Sequence, residues 1–350
     1  MTETDRPDPD TVDTAPTAQS ILDREPTVES VVEAVAEGTD RDPEAIRRSL
    51  DPFAEDDVLT AEAVEETVSD VSKILATAET RVDLAALDAD DARAAAAAVT
   101  DLDVVDARLR GFDDRLAALE RRTDELGRSV GAAPDELETP SALHRSAVEL
   151  RETAADAQRV VRVADDLASD LEAFESWLSS PDRRTEELAA DVEALEEALV
   201  DLSSVADRID ERTAADEEGP DVDEEGAFET DGEEWTSETD GETSHAAEWA
   251  DATVRARVLE LLVADLRAEE DDIRTWAARE NASVPESLRR RIDAADRRLS
   301  MLSTTLSDLA APDWHDRFAE RLAATDRALA RFDPPVAWGR VREEMAEPTA

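Results

Sequence analysis

Between positions 188 and 209 the apolar residues alternate at spacings of three and four: Leu188, Val192, Leu195, Leu199, Leu202, Ala206 and Ile209. A second unbroken run follows Pro285, through Leu288, Ile292, Ala295, Leu299, Leu302, Leu306 and Leu309. This spacing keeps one apolar stripe on one face of an α-helix and is the seam of a left-handed coiled coil. A lone helix exposing such a stripe associates with something, so each seam demands a partner, in this chain or in another. Two further stretches repeat the pattern. Leu102, Val105, Leu109, Phe112, Leu116, Leu119, Leu126 and Val130 form one, interrupted only at Thr123. Leu143, Leu150, Ala157, Ala164, Leu171 and Leu178 form the other, a heptad widened by Val160, Leu167 and Phe174. A stripe that wide wants more than one neighbour. No strand is predictable anywhere. The expected class is all-α, an elongated coiled-coil and helical-bundle protein with no β-sheet.

Composition agrees with seams rather than one large core. Aromatic residues make up 3% of the chain and Tyr is absent, whereas helix seams of Leu, Val and Ala need few aromatics. Charge then speaks about solvent. The net charge is −53, and Lys73 is the only lysine among 38 basic residues. Self-repulsion on that scale strains a compact fold in dilute buffer. In molar salt the Debye length falls to about 3 Å and the repulsion is screened. High Asp and Glu, abundant Ala and near-absence of Lys point to a salt-rich cytoplasm. With no Cys there is no disulfide or thiolate chemistry. Residues 1–25 lack the basic start and apolar stretch of a secretory signal. The longest apolar run, Ala94 to Val99, is far below the roughly 20 residues of a membrane span. The expected location is cytoplasmic, without membrane insertion.

Breaks and caps divide the chain into five expected parts. Residues 1–25 read as a disordered tail. Residues 26–88 read as a small helical module, with Thr27 capping a helix stopped by Gly38, Asp42-Pro43 starting a second, and Thr60 capping a third. Residues 89–212 read as a coiled-coil bundle whose helices end at Gly131 and restart near Ser141 and at Ser180-Pro181. The last two form either a hairpin or a kinked rod, the hairpin being favoured because it covers the wide stripe from within the chain. Residues 213–247 read as a disordered acidic linker: from Asp216 to Glu248 there are 15 acidic residues, four of the nine glycines, and no Lys or Arg. Residues 248–346 read as a C-terminal helical bundle.

Motifs that carry chemistry are scarce. Gly127-Arg128-Ser129-Val130-Gly131 has the spelling of a nucleophile elbow, but that motif needs a strained strand-to-helix turn, and here it ends a heptad helix. Asp221 to Gly226 opens like a calcium loop, yet the twelfth position, which should be Glu, is Gly232. His144, His245 and His315 lie in different segments and read as surface or boundary residues rather than a metal set. No Gly-rich phosphate loop with its Lys is present, and no cofactor is implied. Nucleic-acid binding lacks its basic patch. Arg289-Arg290-Arg291 with Arg297-Arg298 is the densest basic stretch, expected to pair with Asp293, Asp296 or a neighbouring helix. Phe228, Trp235 and Trp249, in or beside the acidic linker, are candidate partner-docking residues; the favoured reading is that they fold back onto the C-terminal bundle, since buried aromatics are the commoner case.

The stretches Ser72-Lys73-Ile74-Leu75-Ala76-Thr77-Ala78-Glu79-Thr80-Arg81-Val82 and Leu171-Glu172-Ala173-Phe174-Glu175-Ser176-Trp177-Leu178-Ser179-Ser180-Pro181 resemble a family from extreme halophiles called "halo transducer protein". The resemblance spans most of residues 27–210 and supplies no catalytic or ligand residues to carry over. Its name implies kinship with the long coiled-coil chemoreceptors of halobacteria. This chain departs from them in having no membrane span and no receptor-like hairpin tip, and Glu65-Glu66 and Glu186-Glu187 only loosely resemble receptor methylation sites. The expected function is a non-catalytic coiled-coil scaffold or protein–protein interaction protein, with a homo-oligomer open. The alternatives are a cytoplasmic signal-transducer-like adaptor and a DNA-associated regulator acting through the N-terminal module.

Overall fold

The computed structural model describes residues 21–131, 137, 139–217 and 237–346. Among them are ten α-helices and one two-stranded sheet. The all-α class is therefore as expected, with the sheet as the exception. The chain divides into two compact units: Met1–Leu87 with Arg115–Ser169, and Asp88–Asp114 with Asp170–Ala350.

In the first unit, a short 3-10 turn at Ile21–Arg24 precedes α1 (Val28–Glu37) and α2 (Pro43–Leu50). The expected tail is thus ordered from residue 21, with Leu22 buried. Thr27 caps α1 by accepting from the Ser30 amide at 3.3 Å, and Asp42 caps α2 through the Glu44 amide at 3.1 Å. The three-and-four spacing buries Val28, Val31, Val32 and Val35 on one face of α1. They join Ile46, Leu50, Phe53 and Leu59 in the core.

Between α2 and α3 (Ala61–Ala96) the chain makes a hairpin that the sequence reading did not foresee. β1 (Ala54–Glu55) pairs antiparallel with β2 (Val58–Leu59). Asp56 and Asp57 both take positive φ, 49° and 69°, the backbone of a two-residue type I′ turn. Aspartate tolerates that region better than most residues, but Asp-Asp lacks the glycine that normally announces such a turn. The hairpin is locked from outside: the Leu59 amide donates to the Pro26 carbonyl at 2.9 Å, and Val28 to that of Asp57 at 3.0 Å. Thr60 then caps α3, accepting from the Ala63 amide at 3.1 Å.

The small module does not close at 88. α3 runs on to Ala96, and Leu137, Leu143, Ala147 and Leu150 belong to the module's own core. The last three lie on α5 (Pro140–Ser179). Along α3 within this unit the buried positions include Val64, Val71, Leu75, Ala78, Val82 and Ala85. From α4 (Asp103–Gly131), Arg122 pairs with Asp156 of α5, and Gly127 lies by Leu75.

The second unit holds the ends of α3, α4 and α5 given above, then α6 (Pro181–Glu217), α7 (Ser237–Arg279), α8 (Glu286–Leu309), α9 (Pro312–Leu329) and α10 (Trp338–Ala346). Ser180 caps α6 through the Arg183 amide at 3.3 Å. The seam residues Leu188, Val192, Leu195, Leu199, Leu202 and Ile209 are all buried, as are Leu288, Ile292, Leu299, Leu302 and Leu306; Leu309, the last residue of α8, is half-buried. Their partners lie in the same chain, because α6, α7 and α8 pack against one another pairwise.

Ion pairs fix the order. Glu248 of α7 receives Arg208 and Arg212 of α6 at 3.0 and 2.7 Å. Arg267 of α7 reaches Asp293 and Asp296 of α8 at 3.1 and 2.9 Å. Arg291 of α8 grips Glu196 of α6 with two bonds of 2.9 and 2.8 Å. Thus α7 runs opposite to both neighbours, and α6 and α8 run the same way.

This corrects the division at the acidic segment. The α6 seam belongs with the C-terminal helices, not in a separate bundle ending at 212, and its chief neighbours are α7 and α8 rather than α5. A heptad stripe specifies that a helix needs a neighbour, not which one. The expected linker also narrows: α6 continues to Glu217 and α7 begins at Ser237, with Ala246 fully buried. The rest of that stretch, 218–236, lies outside the described residues. No helix among the described residues is long and apolar enough to cross a membrane.

Candidate functional site

The most unusual chemistry lies in the second unit, where two arginines and their carboxylates meet a row of aromatic rings. The rings come from α4, α5 and α7. Phe112 lies 5.3 Å from Phe174, Phe174 stacks on Trp177 at 5.7 Å, and Trp177 meets Trp276 edge-on at 5.5 Å. Helical spacing explains the middle of the row, since positions 174 and 177 share one face of α5. Two guanidinium groups complete it: Arg108 sits 4.3 Å from the Trp177 ring centre and Arg184 3.7 Å from that of Trp276.

Arg184 is 0% exposed. One of its nitrogens donates to the carbonyls of Leu178 at 2.8 Å and Trp177 at 3.3 Å, and another pairs with Glu280 beyond the end of α7. Those carbonyls lie at the C-terminal end of α5, where a cation is favoured; that of Trp177 also accepts from the Ser180 amide at 3.3 Å. Burial pulls the guanidinium below its ordinary pKa, and Glu280 opposes that pull. One side chain therefore ties α5 and α6 to the end of α7.

Arg108 of α4 forks between Glu187 of α6 at 2.6 Å and Glu269 of α7 at 2.8 Å. Burial works against its charge, but Glu269 and Glu187 outweigh it and hold the guanidinium above its ordinary value. Glu269 itself is 7% exposed. Burial pushes its carboxyl up to about 7; Arg108 draws it down, while Asp191 and Asp265 push it further up.

Asp265, one turn earlier on α7, receives the Val336 amide at 2.7 Å and the Trp338 indole N–H at 2.6 Å. It thereby anchors the chain's C-terminal stretch. Burial raises its pKa, and those two donors oppose the rise. Asp272, two turns on, accepts from the Val104 amide at 2.8 Å and so caps α4 from another helix. The Trp177 indole N–H has no hydrogen-bond partner among the described residues, a cost of about 1–3 kcal/mol that the surrounding packing must offset.

These groups can hold helices and store a proton on Glu269. Each charged group meets another helix of the same chain. The arrangement has the character of a fastening.

The sequence-derived candidates fare as follows. Trp249 is not a docking residue: it is 1% exposed, its indole N–H donates to the Leu306 carbonyl at 2.7 Å, and it packs on Trp314, His315 and Phe318. Its neighbours on α7 continue the helix through the expected linker boundary, which carries the ring into the core. Phe228 and Trp235 lie outside the described residues, as does the calcium-like stretch 221–232. Gly127 to Gly131 is helical within α4, so Ser129 has no elbow.

Of the histidines, His245 is half-buried on α7 and His315 is exposed beside Trp249, but His144 is buried in the first unit, contrary to expectation. Burial, with Arg41 nearby, lowers its pKa. In the basic stretch, Arg289 reaches Glu270 and Asp271 of α7 and Arg291 reaches Glu196, the interhelix pairing anticipated.

Sequence reasoning missed Arg108, Arg184, Glu269 and Asp265. The one available signal was for Arg184, a basic residue one turn after a helix break at Ser180-Pro181, where the preceding carbonyls need donors. No family model, no curated protein and no solved structure matches this chain.

Proposed function

We propose that this protein is a non-catalytic helical scaffold that binds other proteins, working in the cytoplasm of a salt-loving cell. The reading rests chiefly on one observation. The interior charges of the second unit are spent on fixing helix to helix: Arg108 across α4, α6 and α7, and Arg184 across α5, α6 and the end of α7. Such fastening makes a stiff platform whose outer faces are free to vary. The charge of −53 with a single Lys supports the high-salt setting, since screening at molar ionic strength removes the self-repulsion. The test is affinity capture of the full chain from a molar-salt lysate of its own cell. A scaffold recovers at least one protein at near-stoichiometric ratio. Recovery of none, across growth conditions, would count decisively against it.

A further inference from the structure

The outer face formed by α6 and α8 carries an unusual arrangement of charge. α8 holds Arg289, Arg290, Arg291, Arg297 and Arg298 within ten positions. Arg289 and Arg291 are paired within the chain. Arg290, Arg297 and Arg298 form no ion pair among the described residues, in a chain with 91 acidic residues against 38 basic ones. Beside them, α6 has no basic residue from Thr185 to Asp207. Its Glu193 and Glu197 are exposed and likewise unpaired.

Among the described residues one ion pair joins the two strips, Arg291 to Glu196. Glu196 is already taken by Arg291, and Asp201, further along α6, is turned to Arg255. Between the strips lies a groove of about 460 Å³ floored by Leu199, Val200, Ala294 and Ala295, with Glu197 and Arg298 on opposite rims. Val200 is 51% exposed, and Met301, one turn beyond Arg298, is 64% exposed. They are the only large apolar side chains so exposed in the described part of this unit.

We infer that this face is an interface between two copies of the chain, laid face to face with their helices parallel, about a two-fold axis that runs along the groove between α6 and α8. The inference rests on the scaffold reading and names one partner for it. In a two-fold contact each copy offers the same patch, so the patch must complement itself. An acidic strip beside a basic strip does so when the axis runs along the groove between them: the rotation exchanges the strips, so the α8 arginines of each copy lie on the α6 carboxylates of the other, and Val200 and Met301 are covered from both sides. A merely acidic partner would satisfy the arginines and leave Glu197 without a cation and Glu193 with only the field of Arg291, which Glu196 already holds, whereas a second copy satisfies both.

The face is large enough. A helix as long as α8, 24 residues, extends about 36 Å at 1.5 Å per residue, and two adjacent helices are about 20 Å wide. That gives roughly 700 Å² per copy, close to the 800 Å² of a standard interface. Ion pairs in direct contact lie within the Debye length of about 3 Å at molar salt and survive there.

Light scattering of the full chain in molar KCl, across a concentration series, tests the inference. Wild type is expected at twice the chain mass. Arg297→Glu with Arg298→Glu, and separately Glu193→Arg with Glu197→Arg, should each give the monomer mass at concentrations where wild type is dimeric. Their equimolar mixture should recover the dimer, because opposite reversals restore the pairing. These side chains lie outside the core, so far-ultraviolet circular dichroism should match wild type. Should a reversal lose helix, Met301→Ser with Arg298→Gln replaces it, with an expected weakening of dimerisation of at least ten-fold. A wild-type monomer at every concentration, or a dimer that both reversals leave intact, overturns the inference. The scaffold reading falls separately, only if capture recovers no other protein.

Discussion

Replacing Arg184 by Ala removes the most deeply buried charge in the structure and exposes what it was holding. The guanidinium is 0% exposed, donates to the Leu178 and Trp177 carbonyls, pairs with Glu280 and lies 3.7 Å from the Trp276 ring centre. The substitution strands the Leu178 carbonyl at the end of α5, at a cost of about 1–3 kcal/mol for a buried acceptor without a donor, while the Trp177 carbonyl keeps the Ser180 amide at 3.3 Å. It also forfeits a desolvated cation–π contact of about 2 kcal/mol. Glu280 recovers part of its loss because its side chain is 35% exposed and can turn to water. The sum is about 4 kcal/mol, inside the 3–5 kcal/mol range seen when one member of a buried pair is deleted.

For a unit the size of the second one, each kcal/mol moves Tm by about 2–4 °C. Arg184→Ala should therefore melt about 8–16 °C below wild type in molar salt. Tryptophan fluorescence is the right probe, because Trp177, Trp249, Trp276, Trp314 and Trp338 all belong to this unit and the first unit contains none. Arg183→Ala, at the exposed neighbouring position, is the control and should change stability by no more than about 0.5 kcal/mol. Arg184→Lys keeps the charge but loses the fork, and should fall between the two. If Arg184→Ala melts within about 3 °C of wild type, the fastening role is refuted.

Glu269 gives a pH dependence of definite sign. Its folded pKa of about 7 lies above its ordinary value, so its contribution to stability is complete below the ordinary carboxyl range and is lost as pH rises through about 7. Wild type should lose about 2 kcal/mol relative to Glu269→Gln between pH 5.5 and 8, and equal pH slopes for the two proteins would sink the assignment. Gly111→Ala in α4 should stabilise the second unit by about 0.5–1 kcal/mol, because the new methyl meets the Ala337 methyl at 3.5 Å, ordinary contact distance, while gaining helix propensity; a lower Tm would show the reading wrong. Leu195→Asp with Leu202→Asp buries two charges among α6, α7 and α8, at a cost of more than about 5 kcal/mol, and should shift tryptophan emission to the red even in molar salt; an unshifted spectrum would place α6 outside that core.

The periodic part of this fold was open to sequence reading because burial writes itself into spacing. Leu188 to Ile209 and Leu288 to Leu306 are in the core where the three-and-four pattern puts them. Thr27, Asp42, Thr60 and Ser180 cap the helices they precede. What periodicity leaves open is pairing, since every leucine seam accepts every other. Hence α6 was grouped with its sequence neighbours when it packs on α7 and α8. Single polar residues are harder still. In a chain where nearly every basic residue is arginine, Arg108 and Arg184 look like their surface counterparts until their neighbours are known. The Asp56-Asp57 turn is similarly mute, because its backbone is imposed by Pro26 and Val28, far away in sequence. Trp249 folds back onto the C-terminal helices, the favoured of its two readings, while the docking reading came from an acidic surrounding sequence that masked the helix carrying it inward.

The cap that Asp272 places on α4 has a consequence for the birth of the protein. The Val104 amide meets a carboxylate made 168 residues later, and Arg108 meets Glu269 at a separation of 161. At a synthesis rate of about 5–20 residues per second, the start of α4 waits about 8–34 s for its partner. During that time the indole of Trp177 has already emerged, and Trp276 and Glu280 have not. The second unit therefore cannot finish folding in the order it is made. Its earliest helix stays without its lid until nearly the whole chain has left the ribosome, and Asp265 must wait longer still for Trp338.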